Sequence, residues 1–419
     1  MGAPSFSLPL RKGWETTNLR MSLPLLFFLS FPEGICFLAS TTSPRVDPPN
    51  IPESTNMTSP RILIAGGGTG GHIIPALAVA RELKSRYQAE ILFVGTARGM
   101  ESRLVPQAGF PLELIQIGPL NQVSLATKLK TLAGLPLSLF ACHKIIRNFR
   151  AQAVFGVGGY ASGPAMGAAI LTGIPTMAFE PNAVPGMANR IAAKWVKAAA
   201  VNFPPAAKWF QNPEVTGIPV RLEFFAIEPP PPDAPPHLLI FGGSQGARIF
   251  NTLLPPIVPA LLQAVPGLTI LHQSGARHAE TTRAAYESSG ADPNRWQVEP
   301  FLDNMAAQFA RAHLVLARSG ASTVAELAAA GKPALLIPFA AAADNHQRSN
   351  AEVMVQANAA VMLEEHQLSQ RQPELLRETL ISLLEDPAKL QQMGQQARTQ
   401  AHPQAAQRIA EILVSLIRL

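Results

Sequence analysis

The chain has 419 residues, 47% of them hydrophobic and only 15% charged, with a formal net charge of +6 at neutral pH. These numbers fit a globular protein with room for two domains and large cores. The basic excess suits an anionic partner, but zinc-finger spacings, dense Lys/Arg runs and basic–aromatic interleaving are missing, so we expect no nucleic-acid partner. Cys36 and Cys142 make no disulfide framework, which leaves a reducing cytoplasm as the default compartment.

Residues 1–56 differ in composition from the rest of the chain. Met21–Ser40 is apolar, but Pro32 interrupts it and it is short for a membrane span. Ser43–Pro60 is rich in proline, serine and threonine, a composition typical of disorder. We expect synthesis to begin at Met57, so that residues 1–56 are a disordered or spurious extension. A signal peptide is the alternative.

The first regular pattern is a strand, a glycine loop and a helix. Arg61–Ala65 is a β-branched run that predicts a buried strand. Gly66–Gly71 is a glycine loop interrupted only by Thr69, and apolar residues at helical spacing follow His72. Pro75 suits a first helical turn. Such a turn brings backbone N–H groups and a helix N-terminus to one point, which attracts phosphate or another anion.

Short apolar runs then alternate with helical patterns, which predicts βαβ units and parallel sheets. The proline-rich segment 223–236 is interpreted as a linker between an N-terminal domain at 57–222 and a C-terminal domain at 237–402, with a last helix at 403–419. The predicted fold class is α/β, with two doubly wound domains and a ligand cleft between their strand ends. The predicted strands are Arg61–Ala65, Glu90–Val94, Glu113–Ile117, Ala153–Val157, Thr176–Phe179, Ala198–Asn202, His237–Phe241, Thr269–His272, Gln297–Glu299, His313–Ala317, Ala334–Pro338 and Ala360–Leu363.

The first glycine loop does not have the full pattern of a nicotinamide-dinucleotide site. Gly66, Gly68 and Gly71 have the fingerprint spacing, which is weak by itself. The fingerprint also needs an acid at the end of the second strand to hold a ribose, and here that strand ends in Val94-Gly95-Thr96. The sequence therefore disfavours NAD and retains anion binding, with a purely structural turn as the alternative.

Two further glycine turns follow predicted strands, at 156–164 and 242–246. Three such loops, spread over both halves, predict several donors converging on a polyanionic ligand. Each hydrogen bond to a charged group contributes about 1.5–3 kcal/mol.

Polar residues also follow four predicted strands. Glu326 suits the diol of a ribose, although Thr323-x-x-Glu326 has the form of a capping box. Glu180 to Asn182 and Asp344 to Asn350 follow strands in the same way, with plain turn chemistry as the alternative. His72 beside the first loop suits a general base at neutral pH, although a lone histidine is more often structural.

No metal pattern accompanies these residues. The aspartates, at Asp47, Asp233, Asp292, Asp303, Asp344 and Asp386, are never within three residues of each other, and no Cys/His cluster exists. We therefore expect no metal site, and a leaving group stabilised by protein donors.

Five motifs occur in one order: GGTGGH (67–72), GVGGYASGP (156–164), GGSQGAR (242–248), RSGASTVAELAAAGKP (318–333) and HQxxNA (346–351). Together they closely resemble the N-acetylglucosaminyltransferases of peptidoglycan synthesis in glycosyltransferase family 28. The resemblance covers about Arg61 to the C-terminus. It implies a GT-B fold and inverting transfer of GlcNAc from UDP-GlcNAc to the muramyl 4-hydroxyl of lipid I, giving lipid II, without a cofactor.

The resemblance also implies residue roles. His72 would be the general base, and Tyr160 and Glu180 would lie on the acceptor side. The diphosphate would face Arg221 and Ser244. The remaining donor contacts would be Thr69, Gly70, Gly71, Asn182, Leu302 at uracil through its backbone, Ala321, Ser322, Thr323, Val324, Ala325, Glu326 on the ribose diol, and Gln347 at the GlcNAc hydroxyls.

The sequence departs from the family pattern at three positions. The family usually has HEQN where this chain has Phe179-Glu180-Pro181-Asn182, so an imidazole and an amide are missing from the expected acceptor contacts. Ser322 replaces a commoner leucine.

A lipid-linked acceptor implies a surface that docks on an anionic membrane, peripherally and on the cytoplasmic face of the cell (inner) membrane. Pro119–Arg150 is the candidate, with an ordinary solvated helix pair as the alternative. Its apolar residues are Leu132, Leu135, Leu137, Leu139 and Phe140, and its basic residues are Lys128, Lys130, Lys144, Arg147 and Arg150.

Two other function classes remain open on the same scaffold. A UDP-GlcNAc 2-epimerase would isomerise the donor without an acceptor. A non-catalytic sugar-nucleotide sensor would bind UDP without needing His72.

Overall fold

The computed structural model describes residues 59–118, 124–231, 233–368 and 373–417, without the side chains of 125–130, 132 and 343. The expectations on residues 1–56 and on Met57 lie outside the described residues. So do Pro119 to Val123 and the side chains of Lys128, Lys130 and Leu132 in the expected membrane segment.

Seven parallel strands form the sheet of the N-terminal half, with the order β3-β2-β1-β4-β5-β6-β7. The order reverses between β1 and β4, which is the switch point where ligands bind in doubly wound sheets. The strands are β1 Arg61–Gly66, β2 Glu90–Gly95, β3 Leu112–Leu114, β4 Ala153–Gly158, β5 Thr176–Glu180, β6 Ala198–Val201 and β7 Pro213–Val215.

Helices cover both faces of this sheet, and β1 shows why. Ile62 and Ile64 point into one hydrophobic cluster, whereas Leu63 and Ala65 point into the other. Both faces of a parallel sheet are buried, so its strands are continuous apolar runs. The helices of this half are α1 Gly70–Tyr87, α2 Glu101–Gln107, α3 Leu125–Phe149, α4 Ser162–Leu171, α5 Met187–Ala192, α6 Pro204–Ala207 and α7 Leu222–Phe225.

Six parallel strands form the second sheet, with the order β10-β9-β8-β11-β12-β13 and a reversal between β8 and β11. They are β8 His237–Phe241, β9 Thr269–Gln273, β10 Trp296–Glu299, β11 Leu314–Ala317, β12 Ala334–Leu336 and β13 Ala360–Met362. The helices are α8 Arg248–Leu253, α9 Val258–Ala264, α10 Ala279–Ser288, α11 Met305–Arg311, α12 Ala321–Ala330, α13 His346–Gln356, α14 Glu374–Leu384, α15 Pro387–Thr399 and α16 Ala405–Ile417, and short 3-10 turns occupy Pro255–Ile257, Ala343–Asn345 and Glu365–Gln367.

The last helix returns to the N-terminal half. Ile409 and Leu413 of α16 are fully buried in the cluster that contains Ile62 and Ile64 of β1. Burying one such side chain stabilises the fold by about 1.5–3 kcal/mol. The C-terminus of the chain is therefore part of the N-terminal core.

The segment expected to be a linker begins with packed residues. Phe224 in α7 is fully buried and meets the ring of Phe309 edge-on at 5.2 Å between centroids. Ile227 joins the same cluster, and Arg398 of α15 donates to the carbonyl of Phe225 at 2.9 Å. Phe224, Phe225 and Ile227 therefore pack with the C-terminal half, and a largely exposed stretch begins at Glu228.

The predicted α/β class and parallel strands are confirmed, with local differences in some elements. β3 ends at Leu114, three residues before the end of the predicted strand Glu113–Ile117. β7 was not predicted. Pro75 lies at the sixth position of α1 rather than in its first turn, because the helix begins at Gly70. Among the described residues, no helix has both the length and the hydropathy needed to cross a bilayer.

Candidate functional site

The first glycine loop leads directly into α1, and Thr69 is its N-cap residue. The carbonyl of Thr69 accepts from the N–H groups of His72 and Ile73, both at 3.2 Å. Thr69 Oγ1 also lies 3.3 Å from His72 Nδ1. Cap geometry thus fixes the His72 imidazole at the start of the helix.

The first and second glycine loops interlock behind this histidine. Gly67 N–H donates to the carbonyl of Gly158 at 3.1 Å. Gly158 has a φ of +92°, and a Cβ there would lie 2.9 Å from His72 Nε2. Glycine at 158 therefore provides both the left-handed backbone and the space for the imidazole.

Burial is the largest effect on His72 and lowers the pKa of its imidazole. A hydrogen bond with the Gly67 backbone raises that pKa, the charge of His346 lowers it, and Glu101 raises it. His346 begins α13 in the C-terminal half, so the two halves approach each other here. With its pKa below the usual value, His72 is neutral at pH 7 and able to accept a proton.

Glu101 was missed in the sequence. Its side chain is 1% exposed, beneath the first glycine loop. Oε2 accepts from Gly68 N–H at 2.6 Å, and Oε1 accepts from Thr96 N–H and Thr96 Oγ1, both at 2.9 Å. Gly95 and Gly99, two glycines close to one acid in the sequence, were the available signal for this carboxylate.

Because of this carboxylate, fewer N–H groups of the first glycine loop are open to an anion than the sequence predicted. The N–H groups of Gly67 and Gly68 are bonded within the protein, to Gly158 and Glu101. The open N–H groups are those of Gly70 and Gly71 in the first turn of α1, which have no partner within the helix. The loop is therefore a poorer phosphate cradle than its glycines suggested.

α12 in the C-terminal half is better suited to an anion. Gly320 is its N-cap, and no acid lies in its first turn. The N–H groups of Ala321, Ser322 and Thr323 are thus available at the positive end of the helix dipole. The capping-box alternative is wrong, because Thr323 lies inside the helix and no side chain caps it.

Glu326 is half-buried in the second turn of α12. Burial raises the pKa of its carboxyl to about 7, Arg221 lowers it and Glu223 raises it. Arg221 pairs with Glu223 at 3.0 Å and lies over the ring of Phe224. The charge of Arg221 therefore acts on the carboxyl of Glu326, so the structure places these two side chains near each other.

The two halves meet through α12 and α13. Ala321 and Ala325 pack against the core cluster of the N-terminal half. A Cβ on Gly71 would lie 3.6 Å from Ser322 Oγ, an ordinary contact distance. The first loop and the start of α12 therefore face each other at close range.

Asn182 and Asn350 also connect the halves. Asn350 is fully buried; its Oδ1 accepts from Ala183 N–H at 2.9 Å. Its Nδ2 donates to Asn182 Oδ1 at 3.2 Å and to the carbonyl of Ser319 at 3.1 Å. Asn182 is thereby held towards the C-terminal half.

Glu180 is placed differently from its expected role. It is 2% exposed, and its carboxylate accepts from the N–H groups of Asn182 and Gly186 and from both side-chain amides of Asn182 and Asn189, at 2.9–3.2 Å. A carboxylate surrounded in this way orients Asn182, and its oxygens are already occupied by donors of the protein. We therefore revise its role from acceptor contact to positioning.

Gln347 lies beside a cavity of about 640 Å³ that also reaches Gly242 and Gly246 of the third glycine loop. Its Oε1 accepts from Phe339 N–H at 3.0 Å, and its carbonyl accepts from Ser319 Oγ at 2.8 Å. The side-chain amide is thus fixed at the edge of the cavity.

The remaining predicted site residues differ in accessibility. Tyr160 is 45% exposed beside the second loop, Ser244 is exposed on the third, and Leu302 is half-buried. Val324 is 1% exposed, so its side chain belongs to the core and only its backbone is open to a role. Among the described residues, no group of three or more His, Cys, Asp or Glu is arranged to hold a metal ion.

Comparisons with known proteins match both halves of the chain to one family. Residues 62–201 match the glycosyltransferase family 28 N-terminal domain, and residues 237–409 match its C-terminal domain. The crystal structure of Acinetobacter baumannii MurG superposes with a TM-score of 0.73 and 32% identity, covering 85% of this chain and 99% of that one. The predicted GT-B fold is confirmed by this likeness.

A relative from Solibacter usitatus is named UDP-N-acetylglucosamine--N-acetylmuramyl-(pentapeptide) pyrophosphoryl-undecaprenol N-acetylglucosamine transferase. It is 44% identical over 363 residues, which are 86% of this chain and 97% of that protein. The Neisseria meningitidis UDP-GlcNAc 2-epimerase bound to UDP-GlcNAc has a TM-score of 0.61 at 14% identity over 85% of this chain and all of that one, and so shares the fold alone. The chain therefore belongs to glycosyltransferase family 28.

Proposed function

We propose that this chain is an inverting glycosyltransferase that moves GlcNAc from UDP-GlcNAc to the 4-hydroxyl of the N-acetylmuramyl group of lipid I. The product is lipid II, and the process is peptidoglycan biosynthesis. One observation carries the proposal: the relative with this activity in its name is 44% identical along 97% of its own length. The facing positions of His72 and the start of α12 support it.

The proposed reaction is a single displacement at the anomeric carbon of GlcNAc. The acceptor oxygen bonds to that carbon from one face while the bond to the UDP oxygen breaks on the other. His72 takes the proton of the acceptor hydroxyl, and its lowered pKa keeps it neutral and ready to do so. Holding both substrates in line supplies about 7–11 kcal/mol of barrier reduction.

The departing UDP needs donors. We assign the diphosphate to the first-turn N–H groups of α12, to Ser244 and to Arg221, and the ribose diol to Glu326. Leu302 serves uracil through its backbone, and Gln347 and Asn182 serve the GlcNAc hydroxyls. Thr69, Gly70 and Gly71 then approach the sugar from the opposite half, with Tyr160 on the acceptor side.

We also propose peripheral docking on an anionic membrane at the cytoplasmic face. Leu137 and Phe140 of α3 are 71% and 68% exposed. Leu171 of α4 is 79% exposed, and α4 contacts both α3 and α5. Basic residues are exposed nearby, with Lys144 and Arg147 on α3 and Arg150 directly after its end. An apolar surface with basic neighbours is the pattern that binds anionic lipid.

The test is a transfer assay with radiolabelled UDP-GlcNAc and a lipid I analogue. We expect a labelled disaccharide lipid, with and without EDTA. In His72→Ala we expect turnover to fall by about 10²–10⁴-fold, the usual range for a general base, with donor binding retained. The matched control is His278→Ala, an exposed histidine at the start of α10, which should keep full activity.

The same assay separates the alternatives. Isomerised UDP-sugar in the absence of acceptor would favour an epimerase. UDP binding without any turnover, under conditions where a known family member is active, would favour a sensor. Loss of turnover in EDTA would refute the proposed stabilisation of UDP by protein donors.

A further inference from the structure

Glu101 is a buried carboxylate that the reaction, as proposed above, does not use. It is the first residue of α2 and is 1% exposed. It lies between the end of β2, through Thr96, and the first glycine loop, through Gly68. Burying a charged carboxylate is costly unless hydrogen bonds compensate it, so such a group is rarely retained without a role.

Three glycines provide the space for this carboxylate. A Cβ at Gly67 or Gly99 would overlap its oxygens, and a Cβ at Gly95 would overlap Glu101 Cγ. Gly67 belongs to the first loop, whereas Gly95 and Gly99 precede Glu101 in the chain. The backbone on both sides is therefore shaped around the carboxylate.

The hydrogen bonds use the oxygens of Glu101 as acceptors. All three groups that meet it are donors: Gly68 N–H, Thr96 N–H and the Thr96 hydroxyl. The bond to Gly68 fixes the middle of the loop, whose two ends are fixed by the Gly67–Gly158 bond and by the start of α1. The loop that carries Thr69 and His72 is thus held at three points.

We propose that Glu101 is a positioning residue for the transfer reaction, because its buried carboxylate fixes the loop that presents His72 to the acceptor. This inference rests on the proposed function. Glu101 acts through Gly68 and touches neither substrate. Its negative charge also lies beneath the loop, which favours a neutral hydroxyl over a phosphate at that surface.

The charge has a second consequence for His72. Burial and His346 lower the pKa of the His72 imidazole, while the Gly67 backbone and Glu101 raise it. Glu101 thereby offsets part of the lowering of the His72 pKa by burial, and His72 is a stronger base than it would be without this carboxylate. Removing the charge and keeping the shape should move the titration of His72 to lower pH.

Glu101→Gln tests the proposal, with Thr96→Val as the matched control. The control removes one hydrogen bond to Glu101 but keeps its charge and its bond to Gly68. We expect Glu101→Gln to lower kcat by about 10²-fold, the scale of a small misplacement of a reacting group, with an unchanged KM for UDP-GlcNAc. The imidazole resonance of His72, assigned with His72→Asn, should titrate at lower pH in Glu101→Gln and unchanged in Thr96→Val.

Hydrogen exchange on the unsubstituted protein provides a test that does not depend on a variant folding. Gly68 N–H should exchange much more slowly than the N–H groups of Gly70 and Gly71. Equal exchange rates, or an unaltered His72 titration in Glu101→Gln, would overturn the proposal. Neither measurement needs turnover, so failure of the transfer assay would instead count against the proposed function.

Discussion

Asn350 Nδ2 lies 3.2 Å from Asn182 Oδ1, so a fully buried amide of the C-terminal half holds an amide of the N-terminal half. Glu180 holds the same Asn182 from behind, through its Nδ2 at 3.2 Å. Both ends of the Asn182 amide are therefore oriented by the protein. A residue proposed to contact the donor sugar is fixed by both domains at once.

Asn350→Ala should weaken donor binding and destabilise the fold. It leaves Ala183 N–H and the Ser319 carbonyl without their partner, and an unsatisfied buried polar group costs about 1–3 kcal/mol. We expect a lower melting temperature and a higher KM for UDP-GlcNAc. Gln356→Ala, an exposed residue at the end of the same helix, is the control. An unchanged KM in Asn350→Ala would mean that the bond between the halves does not serve the donor.

The strands were predictable because a buried parallel strand is a continuous apolar run. β8 was found with both ends correct, at His237–Phe241. β7 was missed because Pro213–Val215 is short, partly exposed and at the sheet edge, where no apolar run is required. Local pattern therefore determined the elements of the core and failed at the edge.

Site features that arise from local sequence motifs could be predicted, whereas features that depend on contacts between residues far apart in the sequence could not. Glycine loops at strand ends predicted a cleft from the sequence, and in the structure the first loop faces the start of α12 across 3.6 Å from a Cβ on Gly71 to Ser322 Oγ. Glu101 was missed because its bond to Gly68 joins residues 33 positions apart. The capping-box alternative at Thr323 stayed open in the sequence, because Gly320 and Thr323 are comparably favourable N-cap residues and the sequence does not distinguish them.

His346→Asn should move the acidic limb of the pH–rate profile to higher pH. Protonation of His72 abolishes its action as a base, so activity is lost as pH falls through the His72 pKa. The charge of His346 lowers that pKa and Glu101 raises it. Removing His346 therefore raises the pKa of His72, and the acidic limb of the pH–rate profile moves to higher pH with it. The profile of kcat against pH checks this, with His278→Asn as the control. A limb that moves to lower pH would show that His346 does not act on His72 through charge.

Glu326 should make donor binding depend on pH near neutrality. Burial raises the pKa of its carboxyl to about 7, so the folded protein holds this proton more tightly than the unfolded chain. The protonated Glu326 carboxyl contributes fully to the stability of the folded state at low pH, and this contribution is lost as pH rises through about 7. The ionised form is the one that accepts from a ribose diol, so KM for UDP-GlcNAc should rise as pH falls below 7.

Glu326→Gln separates these effects. It should raise KM for UDP-GlcNAc at pH 8 and remove the dependence of KM on pH between 6 and 8, as measured by initial rates. Glu223→Gln, at an exposed carboxylate that pairs with Arg221 and raises the pKa of Glu326, should keep that dependence but move it to lower pH. A pH dependence that survives in Glu326→Gln would assign it to another group.

Phe140→Ser combined with Leu137→Ser should weaken binding to anionic vesicles without lowering turnover on a water-soluble acceptor. Both side chains are about two-thirds exposed on α3. Burying one large apolar side chain contributes about 1.5–3 kcal/mol, or roughly 10- to 150-fold in affinity. Sedimentation with vesicles of mixed anionic and zwitterionic lipid measures the change. Leu375→Ser, at an exposed leucine of α14 in the other half, is the control and should sediment normally. Equal loss in both proteins would mean that general apolar exposure, and not the α3 surface, drives binding. Unchanged vesicle binding of the α3 variant would mean that α3 presents an ordinary solvated surface and does not bind the membrane.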